Sequence, residues 1–116
     1  NLEPYINFNV FNLTPGNFLI FNKIINENDI NLDNDFLENL EILLNLYKKN
    51  KNNNLVNIIL FLTDYYFYMN QLKKNSNFEK NNENKNFVIY SIRKFITHNL
   101  NQNSLINALY GRLSNG

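Results

Sequence analysis

Apolar residues recur along most of this chain at the three- and four-residue spacing of one helix face. Leucine, isoleucine, phenylalanine and tyrosine carry the pattern, and the residues between them are polar, most often asparagine. Such a period is typical of amphipathic helices that pack on a core. Five stretches have it, at about residues 15–26, 35–49, 54–73, 86–100 and 105–113. We therefore predict an all-α fold, a single compact bundle of about five helices.

Helix-start signals support the first two stretches. Thr14 is a suitable N-cap, and Pro15 suits the first helical position because it has no N–H to leave unpaired. Asp33 or Asn34 can cap the second helix. The helical domain is expected to span residues 14–116. Because the chain begins without methionine, we expect residues 1–13 to be a lead-in segment from a preceding domain of a longer protein.

The third stretch is apolar around most of its circumference, which predicts that it is the central helix. Its polar arc nevertheless contains Leu60 and Phe67. The following residues, 75–86, contain a single apolar side chain, Phe78, and this composition predicts a loop.

Asparagine makes up 29 of the 116 residues, a usage typical of a very AT-rich genome. Under such a bias, we expect exposed positions to become asparagine or lysine. Apolar residues that persist on the polar side of a helix are then candidates for contact with a partner. Four residues meet this criterion in the second and third helices: Ile42, Leu46, Leu60 and Phe67. Packing of each residue inside its own domain is the equally weighted alternative.

No pattern of catalytic, cofactor-binding or metal-ligating residues emerges. The chain has no cysteine and one histidine, His98, which suits a surface or helix-capping role and excludes multi-histidine metal sites. Asp64 is the one acid in the central helix, so it is expected to reach water or to meet a cation such as Arg93. Helix capping and a solvated face account best for the acidic cluster Asp29, Asp33, Asp35, Glu38 and Glu41.

Charge and hydropathy favour a cytoplasmic protein without membrane or nucleic-acid partners. The net charge is +1, and the most apolar run, residues 55–69, is shorter than the roughly 20 residues of a membrane span. No signal peptide is evident at the start. A small nucleic-acid-binding bundle remains a less favoured hypothesis, and it would use Lys48, Lys49, Lys51, Lys73 and Lys74.

Three short segments resemble one family in their order along the chain. Residues 13–19 (LTPGNFL) are similar to the Ser-Pro-Gly-x-Ala-Leu segment at the lid-to-collar junction of bacterial clamp-loader subunits, with Thr14 and Phe18 in place of its serine and alanine. Residues 61–64 (FLTD) resemble an apolar-apolar-x-Asp pattern midway in that collar. Residues 103–113 resemble its last leucine-rich helix. The similarity is strongest to the delta-prime subunit of DNA polymerase III.

This resemblance implies a non-catalytic collar domain that supports loading of the sliding clamp in DNA replication. Collars associate side by side in a ring of five subunits, and the collar itself binds neither nucleotide nor clamp. Its expected partners are other clamp-loader subunits, with no direct small-molecule ligand or cofactor and no direct contact with DNA. A helical adaptor or protein-protein interaction domain unrelated to replication is the alternative.

Overall fold

Five α-helices form the computed structural model, which describes residues 15–31, 35–73 and 76–114; no strand occurs among them. The all-α class and the number of helices are confirmed. The segment at residues 1–13 and the capping residue Thr14 lie outside the described residues. In chain order the helices are α1 (Pro15–Glu27), α2 (Phe36–Asn50), α3 (Asn53–Gln71), α4 (Phe78–His98) and α5 (Gln102–Ser114).

Contacts divide the chain into two compact units, and the division falls inside α3. The first unit ends at Phe61 and contains α1, α2 and the first half of α3. The second unit begins at Leu62 and contains the rest of α3 with α4 and α5. Each unit has its own buried side chains, so each is described by itself below.

Apolar side chains form the core of the first unit. Phe21 of α1 meets Phe61 of α3 edge to face, with ring centroids 4.9 Å apart, an arrangement that aromatic pairs prefer. The face of α2 that the helical period predicts is the buried one, and it contributes Phe36, Leu37, Leu40, Leu43 and Leu44. Burial of a leucine or phenylalanine stabilises the fold by about 1.5–3 kcal/mol, so this unit is held together mainly by apolar area.

The second unit combines a smaller apolar core with polar contacts between its helices. Its described apolar core consists of Leu62, Phe67, Val88, Ile92, Phe95, Leu105 and Leu109. Thr63 and Asn84 are buried with them. Helices α4 and α5 pack together, and Arg112 of α5 donates from Nε to Oδ1 of Asn84 at 2.9 Å.

The predicted loop at residues 75–86 is wrong over most of its length, because α4 begins at Phe78. Asn77 caps the helix by accepting a hydrogen bond from the backbone N–H of Lys80. Asn81, Asn84 and Val88 lie on the same face of α4, because they are three and four residues apart. Both asparagine side chains are hydrogen-bonded to other helices, so asparagine takes inward positions of a helix in the segment where a loop was predicted.

The start of α2 also differs from the prediction. The N-cap is Asp35, and its side chain makes no capping hydrogen bond. Asp33 and Asn34, the predicted caps, lie outside the described residues. Lys48 and Lys49 occupy the last turn, where their charge complements the helix dipole.

Three helices end at a non-glycine residue in the left-handed backbone conformation. The residues are Asp29 after α1, Lys51 after α2 and Asn99 after α4, with φ angles of 53°, 50° and 54°. Lys51 and Asn99 each donate their backbone N–H to a carbonyl of the last helical turn. These ends use the αL cap geometry without the glycine that adopts it at least cost.

Candidate interaction surface

The four candidate interface residues differ in their exposure. Ile42, Leu46 and Leu60 are half-buried. Phe67 is only 2% exposed, which fits the alternative that it packs within its own domain. Thr63, one turn earlier on the same side of α3, is also buried, which indicates that this side of the helix is covered. The sequence places this side in the polar arc of α3 because Thr63 and Asn70 are polar, but polar side chains can be buried when they are hydrogen-bonded.

Exposed large apolar side chains are concentrated in the second unit. Among the described residues, the first unit has one, Leu19. The second unit has seven: Tyr68, Met69, Leu72, Phe78, Tyr90, Leu100 and Tyr110. Single exposed apolar residues are normal on a protein surface, so the arrangement of these seven matters more than any one of them.

Three of them form a continuous strip at the end of α3, which we call the α3 strip: Tyr68, Met69 and Leu72. They are 41%, 43% and 62% exposed. Residues three and four apart are neighbours on a helix, so Leu72 lies beside both of the others. The backbone N–H of Leu72 bonds to the carbonyls of Tyr68 and Met69, which keeps this last turn in place.

Phe78 adds a further exposed ring close to the α3 strip. It is the first residue of α4 and is 67% exposed. One turn later in α4, Asn81 donates from Nδ2 to the carbonyl of Phe67 and to Oε1 of Gln71, at 3.0 and 3.2 Å. The first turns of α4 therefore lie against the last turns of α3, where the strip is located.

A hydrogen-bond network holds these two helix ends together. Besides donating to α3, Asn81 accepts a bond from Nδ2 of Asn70 at 2.7 Å. Ser76, in the connection between the helices, donates from Oγ to the carbonyl of Gln71. Because these groups satisfy one another, the polar residues at this seam fix the position of the strip without an apolar core beneath it.

Two charged residues of the second unit, Asp64 and Arg112, make contacts within it. Asp64 pairs with Lys85 at 3.0 Å, rather than with Arg93, and its side chain is 46% exposed. It therefore meets both a cation and water. The guanidinium of Arg112 lies 4.7 Å from the centre of the Phe87 ring. His98 is exposed in the last turn of α4.

Within the described residues, no group of three or more histidine, cysteine or acidic side chains is arranged to hold a metal ion.

The aromatic run from residue 65 to 68 does not share one face. Phe67 is buried and Tyr68 exposed, and Tyr66 meets Phe67 edge to face at 4.8 Å. The run therefore contributes one ring to the core and one to the α3 strip.

Comparison of the chain with protein-family models, curated proteins and solved structures found no match. In the part of the chain that the structure describes, no helix has the length and apolar character needed to cross a membrane. The sequence pattern did not predict the α3 strip, because the apolar residues of this helix outside its polar arc were expected to be buried. The signal was the spacing of Tyr68, Met69 and Leu72, which places them together on one side.

Proposed function

We propose that this chain is a non-catalytic helical interaction domain, with the α3 strip as its principal contact surface. The observation that carries the proposal is the concentration of exposed apolar side chains in the second unit, three of them contiguous at the end of one helix. Apolar and aromatic side chains that gather on a fixed surface are typical of the central part of a protein interface.

The specific form that we propose is the collar of a bacterial clamp-loader subunit, following the resemblance of residues 13–19, 61–64 and 103–113. A collar associates with neighbouring collars through its helix faces, which suits a surface made of aromatic, methionine and leucine side chains. The partners of the α3 strip would then be the helices of adjacent subunits, and the domain would support clamp loading through assembly.

The proposal can be tested by placing charge on the strip in the full product of the gene. Met69→Glu combined with Leu72→Glu should lower the recovery of other clamp-loader subunits at least about tenfold in co-purification, because carboxylates would be desolvated at the contact. The matched control is Leu19→Glu, an equally exposed leucine of the first unit, 57% against 62% for Leu72. This control should leave recovery unchanged.

Two results separate the general proposal from its specific form. Unchanged recovery in the double variant, or an equal loss in the Leu19→Glu control, would remove the α3 strip as the contact surface. The collar assignment also requires an ATPase domain with a P-loop encoded upstream of Asn1. A gene without that motif would exclude the collar and leave the adaptor alternative, in which the same strip binds an unrelated helical partner.

A further inference from the structure

A polar cavity of about 310 Å³ lies in the second unit, beside the network formed by Asn81. Its volume is at the lower end of the range for small-molecule sites. The wall is formed by the last turns of α3, the first turns of α4 and one residue of α5. The lining residues are Tyr66, Phe67, Asn70, Lys73, Ser76, Asn77, Lys80, Asn81, Asn84 and Leu113.

Two carboxamides of this wall, those of Asn77 and Asn84, have their oxygens occupied and their nitrogens available. Asn77 Oδ1 accepts from the backbone N–H of Lys80, and Asn84 Oδ1 accepts from Nε of Arg112. In both bonds the partner is a donor, which fixes the oxygen as the acceptor and leaves the NH₂ group as a donor. Neither NH₂ group has an acceptor among the described residues.

Asn84 is the more informative of the two, because it is only 8% exposed and still lines the cavity. Its NH₂ group can donate to an acceptor that enters the cavity, because the oxygen of the same carboxamide is already bonded to Arg112. Lys73 and Lys80 add two positive charges, and none of the lining residues that the structure describes carries a carboxylate. Glu79, in the first turn of α4, is exposed and is not part of the wall. The cavity therefore offers positive charge and amide donors together.

We propose that this cavity binds a small molecule that carries a phosphate group. A phosphate dianion has several acceptor oxygens, which matches the two ammonium and two amide donors. Tyr66 also lines the cavity and is half-buried, so an organic group attached to the phosphate can pack against its ring. This inference departs from the expectation that the chain has no direct small-molecule ligand, and it does not depend on the proposed interaction function.

The test is a titration of the full chain at constant ionic strength with three probes: inorganic phosphate, adenosine 5′-monophosphate and adenosine. Calorimetry gives the affinity, and NMR follows the side-chain NH₂ signals of Asn77 and Asn84. We expect saturable binding of inorganic phosphate in the millimolar range, tighter binding of the monophosphate, and none of adenosine. If the monophosphate binds and inorganic phosphate does not, the ligand is identified as a phosphate ester, and this result would also support the site.

Paired variants assign the binding to this cavity. Lys73→Gln with Lys80→Gln should weaken phosphate binding at least about tenfold while leaving the thermal midpoint unchanged, because both lysines are exposed. Lys94→Gln is the control, because Lys94 is an exposed lysine of α4, the helix that contains Lys80, and lies over the Tyr90 ring. The proposal is overturned if neither inorganic phosphate nor the monophosphate binds saturably, if adenosine binds as well as its monophosphate, or if the control loses as much affinity as the double variant.

Discussion

The two units of this chain divide its apolar residues in opposite ways. Among the described residues, the first unit buries twelve apolar side chains and exposes one large one, whereas the second buries seven and exposes seven. The second unit supplements its smaller core with hydrogen bonds through Asn81 and Asn84. The first unit is therefore stabilised mainly by apolar burial, whereas the second unit adds polar contacts between its helices and exposes most of the large apolar side chains on the described surface.

The largest effect is expected from shortening a core side chain of the first unit. Leu44 is fully buried, and Leu44→Ala should lower the free energy of unfolding by about 2–5 kcal/mol, because it loses apolar contact and leaves a cavity. Urea unfolding followed by circular dichroism measures the change. Leu46→Ala, at a half-buried position of the same helix, should cost distinctly less. Equal costs at the two positions would contradict the apolar core described for this unit.

A smaller effect is expected at the polar seam of the second unit. Asn81→Ala removes three side-chain hydrogen bonds, and because the residue is half-buried we expect a loss of about 1–2 kcal/mol in unfolding free energy. Asn82→Ala is the matched control one residue away, at an exposed position whose side chain makes no hydrogen bond with the described residues. It should be neutral or stabilising by up to about 0.5 kcal/mol, since alanine favours the helix.

These two asparagines test the seam directly, since residue type and helix are the same. Similar unfolding free energies for the Asn81 and Asn82 variants would mean that the hydrogen bonds of Asn81 only replace bonds to water. The second unit would then depend on its seven buried apolar residues, and the contrast between the units would weaken.

The smallest effect concerns the helix ends, one in each unit. Lys51→Gly should stabilise the chain by about 0.5 kcal/mol. Glycine relieves the cost of the left-handed backbone, about 1–2 kcal/mol. This gain exceeds two losses, the contact of the lysine with the Tyr47 ring and the added conformational freedom of the unfolded chain. Asn99→Gly should change stability by less, since asparagine tolerates this conformation. Thermal unfolding of both variants measures the difference. A larger gain at Asn99 would contradict this account of the two caps.

The helical period was sufficient to predict much of the fold. It correctly placed the buried face of α2, from Phe36 to Leu44, because five of the six buried residues there are apolar and recur at helical spacing. It failed at the start of α4, where Asn81 and Asn84 take the inward positions. The rule that asparagine marks exposed positions is also wrong at Asn22 and Asn39, which are buried in the first unit. Composition cannot distinguish a hydrogen-bonded asparagine from a solvated one.

The candidate surface was less predictable than the fold, for a related reason. Whether an apolar residue of α3 is covered depends on which helix packs beside it, and this is not encoded in the period of α3 alone. Phe67 is buried on the side where Asn81 approaches, whereas Tyr68, the next residue, is exposed. The cavity beside Lys73 and Lys80 was not predictable either, since it depends on two helix ends that are close in space.

The passage of α3 through the boundary between the units has a consequence for inheritance. A cut between Phe61 and Leu62 would leave residues 53–61 on one side and 62–71 on the other, nine and ten residues of a nineteen-residue helix. Isolated helices shorter than about 12–15 residues are marginal in water. Neither half could therefore be shuffled into another gene with its helix intact. We expect the first unit, with its apolar core, and the second unit, which carries the α3 strip, to be gained, lost and duplicated together.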